Sequence, residues 1–125
     1  MIAKKHSLLL LVIFLGLFLF GCATPQIYDP RIVLDAPLRG SVSVLHVGFD
    51  ETNFGTKTVD VTIRNNRNSA RMVKISTQWF ANGKAYHSLL TEPHRISLLP
   101  LEIKTIHEVA PNQEQNSFRV QISKE

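Results

Sequence analysis

The chain has 125 residues, 14 of them Lys or Arg and 10 Asp or Glu, for a formal net charge of +4; 44% are apolar and 19% charged. That length suits one domain, the apolar share excludes a disordered chain, and a single Cys excludes an internal disulfide framework. Without residues 1–21 the balance falls to 12 basic against 10 acidic residues, too mild a charge for a nucleic-acid partner, which needs a clustered basic face.

Residues 1–21 fall into three parts. "MIAKKHS" is basic through Lys4 and Lys5, Leu8 to Phe20 is an uninterrupted apolar run of 13 residues, and small residues follow from Gly21. A basic end, a short apolar stretch and a small-residue cut site define a secretory leader; a membrane-crossing helix needs about 20 apolar residues. The stretch Leu19, Phe20, Gly21, Cys22 resembles the lipobox of bacterial lipoproteins, although Phe20 is larger than the usual residue at its position. The resemblance implies cleavage between Gly21 and Cys22, a diacylglycerol thioether on Cys22 and acylation of the new N-terminus. Ala23, rather than Asp, implies sorting to the outer membrane. Two or more acyl chains hold a protein firmly to a bilayer where one is marginal. The expected organisation is a cleaved leader over 1–21, a lipidated Cys and tether over 22–31 with Pro25 and Pro30, and one folded domain over 32–125.

In the mature chain the apolar period is two. Ile32 to Leu38 reads as an edge strand or strand end, limited by Pro37, which cannot donate to a ladder. "SVSVLHVGF" places Val42, Val44 and His46 on one face and Leu45, Val47 and Phe49 on the other. "TVDVTIRN" alternates Val59, Val61 and Ile63 against polar residues. "RMVKISTQWFANG" alternates Val73, Ile75, Thr77 and Trp79 against Lys74, Ser76 and Gln78, and ends in Asn82-Gly83. Both turn residues tolerate positive φ, so a two-residue hairpin into "KAYHSLL" is expected. "RISLLP" contributes Ile96 and Leu98, "EIKTIHEV" offers Ile103 and Ile106, and "SFRVQIS" alternates Phe118, Val120 and Ile122 against Arg119 and Gln121. Short strands about ten residues apart, with no helical pattern between them, predict an all-β fold: an immunoglobulin-like antiparallel sandwich of about 7 strands. The expected core is Val44, Val59, Val61, Ile63, Val73, Ile75, Trp79, Ile96, Leu98, Phe118, Val120 and Ile122.

The aromatic pair Trp79-Phe80, the turn at Gly83, "RISLLP", "SFRVQI" and the earlier "VTIRNNRN" (Val61 to Asn68) resemble the YcfL-type small periplasmic lipoproteins of Gram-negative bacteria, over roughly Val59 to Ile122. The resemblance implies an immunoglobulin-like domain at the periplasmic face of the outer membrane and no known activity. Some members are encoded near an activator of peptidoglycan synthases, which implies work in the envelope.

Cys22 is the one candidate nucleophile among thiols, but an alkylated sulfur cannot form a thiolate. Ser41 follows Gly40 without the second glycine of a nucleophile elbow. Asp50, Glu51 and Glu92 have no partner pattern, and no phosphate-binding glycine motif is present. No catalytic residue, metal or cofactor is expected. His46, His87, His94 and His107 carry the alternative, a small-ligand or metal-binding lipoprotein, although none has tight ligand spacing. Phe80 and Tyr86, flanking the Asn-Gly turn, are the candidate binding surface for an envelope protein or glycan. The basic run Arg64, Arg67, Arg71 and Lys74 suits a solvated turn or, less commonly, a face toward anionic lipid or acidic glycan. The expected function is a non-enzymatic binding or adaptor module, held by Cys22 at the periplasmic face of the outer membrane. An envelope protein would meet it by strand addition at a sheet edge.

Overall fold

The computed structural model describes residues 26–86 and 92–125. The expected leader, its expected cleavage-site residues Leu19, Phe20 and Gly21, the expected anchor Cys22, and His87 lie outside the described residues.

Eight strands are present among the described residues: β1 (Ile32–Leu34), β2 (Val42–Glu51), β3 (Lys57–Asn65), β4 (Arg71–Ala81), β5 (Lys84–Tyr86), β6 (His94–Leu98), β7 (Ile103–Val109) and β8 (Ser117–Lys124). They form two sheets. In the first, β8 lies between β1 and β4, and β5 and β6 share the other edge of β4; the second has the order β2-β3-β7. All pairs are antiparallel except β1 on β8. The all-β sandwich expected from the period-two pattern is the fold observed.

The pattern translates directly in β3, β4 and β8. Val59, Val61 and Ile63 face Val73, Ile75 and Trp79 and Phe118, Val120 and Ile122 across the sandwich, and all nine are buried. Each apolar side chain withdrawn from water contributes roughly 1.5–3 kcal/mol. The expected core holds throughout, except that Ile96 is half-buried; Ile32, Leu38, Val42, Ile106 and Ala110 join it. At the β4–β5 turn Asn82 has φ 51° and Gly83 φ 82°, and Ala81 pairs with Lys84. This is the two-residue hairpin that Asn-Gly predicts.

Two strands depart from simple alternation. In β2 the register shifts between Val44, opposite Ile63, and His46, opposite Thr62. Leu45 is the extra residue of a β-bulge, and one extra residue reverses the faces of all that follow. Val42, Val44, Val47 and Phe49 therefore pack inward and His46 faces out, where uninterrupted alternation groups His46 with Val42 and Val44. In β7, Ile103 and Ile106 are three residues apart and cannot share a face; Ile106 is buried and Ile103 exposed.

The segment before β1 lies on the sandwich. Ile27 N–H donates to Val44 O at 3.0 Å, and Val120 N–H donates to Arg31 O at 2.8 Å. Residues 27–31 thus join the open edges of the two sheets, and only residues 23–25 separate Cys22 from the described chain. Arg31 forks onto Asp29 through Nε and Nη2, at 3.0 and 2.8 Å, and holds that carboxyl below its ordinary range. Its guanidinium lies 4.7 Å from the Phe118 ring centroid.

The strand directions define two ends. One end carries the starts of β2, β4 and β7 with the 99–102 turn; the other carries the 52–56 loop, the Asn82-Gly83 turn and the 110–116 loop. The bulge generates a test. Deleting Leu45 restores regular alternation, so the variant folds with the same core. Deleting Thr62 from the regular β3 reverses one half of that strand and abolishes cooperative unfolding. Urea unfolding followed by Trp79 fluorescence distinguishes the two.

Candidate functional site

The residues singled out from sequence do not converge. Trp79 pairs with Tyr86, and Phe80 with Ala85 on β5 and Ser117 on β8. Directly opposed residues share a face and successive residues alternate. Tyr86 therefore stands on the Trp79 face at the sandwich rim, while the half-buried Phe80 projects from the outer face of the same sheet. They do not form one patch.

The histidines are also dispersed. His46 and His107 both face outward on the second sheet, but on β2 and β7, with β3 between them. That separates their backbones by about 10 Å or more. His107 Nδ1 lies 2.5 Å from Asp60 Oδ1 across the β3–β7 ladder. His94, on β6, lies 3.3 Å from Glu108 Oε1 on β7. Among the described residues, no group of three or more His, Cys, Asp or Glu side chains is placed to hold a metal ion.

The arrangement with the clearest binding capacity is a strand edge. Sheet edges carry unpaired backbone groups and accept a further strand unless shortened, bulged or covered. Here β1 and β5 have three residues each. The β2 edge is bulged at Leu45 and partly covered by Ile27. On β6, Lys104 Nζ donates to the Ser97 carbonyl at 2.7 Å. The seven residues of β7 pair with β3 alone among the described strands. Ile103 and Val109, at the two ends of its outward row, are exposed. Between them Thr105 Oγ1 lies 2.9 Å from Thr62 Oγ1, and His107 is held by Asp60.

The inward row of β7 is unusual: Lys104 and Glu108 flank Ile106, opposite Ile63 and Val59. Inward-pointing charges are a known guard against indiscriminate edge pairing. They also lace β7 to β6, through Lys104 to Ser97 and Glu108 to His94. Glu108 Oε1 is buried; it is close to His94 but without an aligned hydrogen bond. Burial raises the Glu108 carboxyl above its ordinary range, and nearby His94 and His107 only partly offset this. The edge was not singled out from sequence, because edge position is a property of pairing. The local signal was two charges on the face that Ile106 buries.

No family model matches the chain, and no curated protein matches its sequence. Two solved structures resemble the fold. Campylobacter jejuni cj0090 aligns with a TM-score of 0.66 and 17% identity, over 78% of this chain and 100% of that one. A DUF1425 family member from Shewanella sp. aligns with a TM-score of 0.61 and 14% identity, over 67% of this chain and 78% of that one. At such identities the likeness is one of fold.

Glu108 leads to a pH test. A carboxyl whose folded value is raised stabilises the fold while protonated; that contribution is present below the ordinary Glu range and is lost as pH rises through the raised value. Glu108→Gln should therefore gain stability relative to the parent between pH 4 and pH 7. The gain should grow as pH rises, on the order of 1 kcal/mol, because the amide carries no charge for burial to oppose. Urea midpoints across that range measure it.

Proposed function

We propose that this protein is a lipoprotein of the YcfL type, anchored through Cys22 at the periplasmic face of the outer membrane. In this reading it is a non-enzymatic binding or adaptor module whose partner is another envelope protein. The leader and the Leu19–Cys22 stretch support the location. The fold likeness to small bacterial proteins, one of them a DUF1425 family member, is consistent with an envelope module. The observation that carries the binding reading is the β7 edge, seven residues long, with Ile103 and Val109 exposed at its ends.

The chemistry is strand addition. An extended segment of the partner satisfies the free N–H and C=O groups of β7, and side-chain contacts along Ile103, Thr105, His107 and Val109 supply selectivity. The inward charges Lys104 and Glu108 raise the threshold, so a partner has to match this edge rather than simply be extended.

Two experiments check the two halves. Cys22→Ala should abolish incorporation of labelled fatty acid and leave an uncleaved precursor; unchanged labelling refutes the anchor. A photo-crosslinking residue at Thr105 in the intact cell should give a discrete adduct with one envelope protein, and the same residue at Gln78, on the other sheet, should not. Thr105 without a protein adduct, under conditions in which the protein is folded, sinks the edge-binding reading.

A further inference from the structure

The end of the sandwich at the 99–102 turn presents an apolar surface within a basic rim. Leu98 is buried, but Leu99 is 58% exposed and Leu101 47% exposed, with Pro100 exposed between them. The turn is firmly held. The fully buried Asn65 donates from Nδ2 to Leu99 O at 3.0 Å and to Ser69 O at 2.9 Å. Its backbone N–H donates to Glu102 O at 2.9 Å, and Leu101 N–H donates to Arg67 O at 3.0 Å. Leu101 has φ 59°, in the left-handed region that favours glycine. A large apolar side chain is thus displayed to water on a backbone that disfavours it, and an outlier of that kind points to a use for the side chain.

Arg67 and Arg71 flank it, and the one carboxylate in the turn, Glu102, accepts from Leu99 N–H at 3.0 Å and is paired with Lys104 Nζ at 3.7 Å. Arg67 accepts the Leu101 hydrogen bond through its carbonyl, and Arg71 stands opposite Leu98 in the β4–β6 ladder. Arg71 Nη1 donates to Ser41 Oγ at 2.6 Å, two residues beyond Arg39. Among the described residues, none of Arg39, Arg67 and Arg71 has a carboxylate within ion-pair distance. Burial, and secondarily the charge of Arg67, work against the Arg71 cation. An anionic surface is the complement this end lacks.

The chain enters the fold beside the same end. Gln26 shares a cleft of about 460 Å³ with Arg39 and Val44, and Ile27 bonds to Val44 near the start of β2. From Cys22 to Gln26 the backbone reaches at most about 14 Å. An anchor on Cys22 therefore keeps this end near the bilayer.

We propose that the Leu99–Leu101 turn docks on an anionic phospholipid membrane, with its leucines in the interface and Arg39, Arg67 and Arg71 against lipid phosphates. The proposal rests on the reading of Cys22 as a lipid anchor. Apolar insertion and attraction to anionic lipid act together in such docking. The strands then rise from the membrane, and the far loop with Phe54 stands about 30 Å away, the length of the ten-residue β2. The β7 edge runs along the side of the domain, open to a partner.

The test uses the lipidated protein in vesicles. With Cys22 acylated, an introduced Cys is the sole free thiol. Leu99→Cys and Leu101→Cys, and Phe54→Cys as the far-end probe, are labelled with a polarity-sensitive fluorophore. Each is reconstituted into phosphatidylethanolamine vesicles containing either phosphatidylglycerol or phosphatidylcholine. With phosphatidylglycerol, labels at 99 and 101 should shift to the blue and be quenched by lipid-borne nitroxide. Both effects should fall by at least about half in roughly 0.5 M salt, where charges are screened within a few ångström. The label at 54 should remain in water in both lipids. Adding Arg39→Glu and Arg67→Glu should abolish the shift, with Trp79 emission unchanged to show that the fold persists.

Labels at 99 and 101 as wet as the label at 54 overturn the proposal, as does burial of the label at 54 instead. A shift that follows protein density rather than phosphatidylglycerol content assigns the turn to protein–protein contact and also overturns it. Protein that does not float with the vesicles refutes the anchor and the docking together, whereas floating protein with wet labels refutes the docking alone.

Discussion

The two sheets are joined at Phe118. Its ring centroid lies 5.0 Å from that of Phe49 on the opposite sheet and 6.2 Å from that of Trp79 on its own, both tilted. Tilted rings at these separations contribute beyond their buried area, by about 0.5–1.5 kcal/mol per pair. Arg31 covers the exposed side of this stack, and Asp29 fixes Arg31. The segment leading to β1 therefore closes the edge where the two sheets would otherwise part. The β2 bulge is what lets Phe49 reach the stack, since unbulged alternation running through Leu45 from the register that buries Val44 would turn Phe49 outward.

A domain closed in this way has few places to meet other molecules. One side is closed by Arg31 and β1; the other ends in β6 and β7, laced by Lys104 to Ser97 and Glu108 to His94. Among the described residues, the long edge of β7 and the end carrying Leu99 and Leu101 are surfaces the closure leaves open. They are perpendicular in use. The proposed membrane contact takes an end, the proposed partner takes a side, and neither blocks the other.

The regular strands were legible because their burial follows their local alternation. In β3, β4 and β8 the inward rows Val59, Val61, Ile63, then Val73, Ile75, Thr77, Trp79, then Phe118, Val120, Ile122 are buried throughout and apolar except at Thr77. The Asn82-Gly83 turn was legible because its backbone angles follow from its residues. Parity in β2 was not, because a bulge is specified by the partner strand, and "SVLHV" reads as alternation either way. The candidate residues Phe80 and Tyr86 are split between faces for a related reason. Closeness in sequence around a hairpin does not place two rings on one face; register does, and Tyr86 opposes Trp79. The four histidines were visible as residue types, but their dispersal over β2, β6 and β7, with His87 outside the described residues, depended on strand order.

Residue pattern alone carried the all-β sandwich, and it is also the whole basis of the proposed leader and lipobox, because each depends on neighbours within a few positions. Strand order, the parallel β1–β8 pair and the isolation of the β7 edge came from long-range pairing, which no local pattern encodes. The same holds for the turn at Leu99 to Leu101. In sequence it is one more apolar stretch before a strand. It faces water because Asn65, 34 residues away from Leu99, holds its carbonyl, and because only Leu98 of that stretch joins the core, with Leu38, Val42 and Ile63.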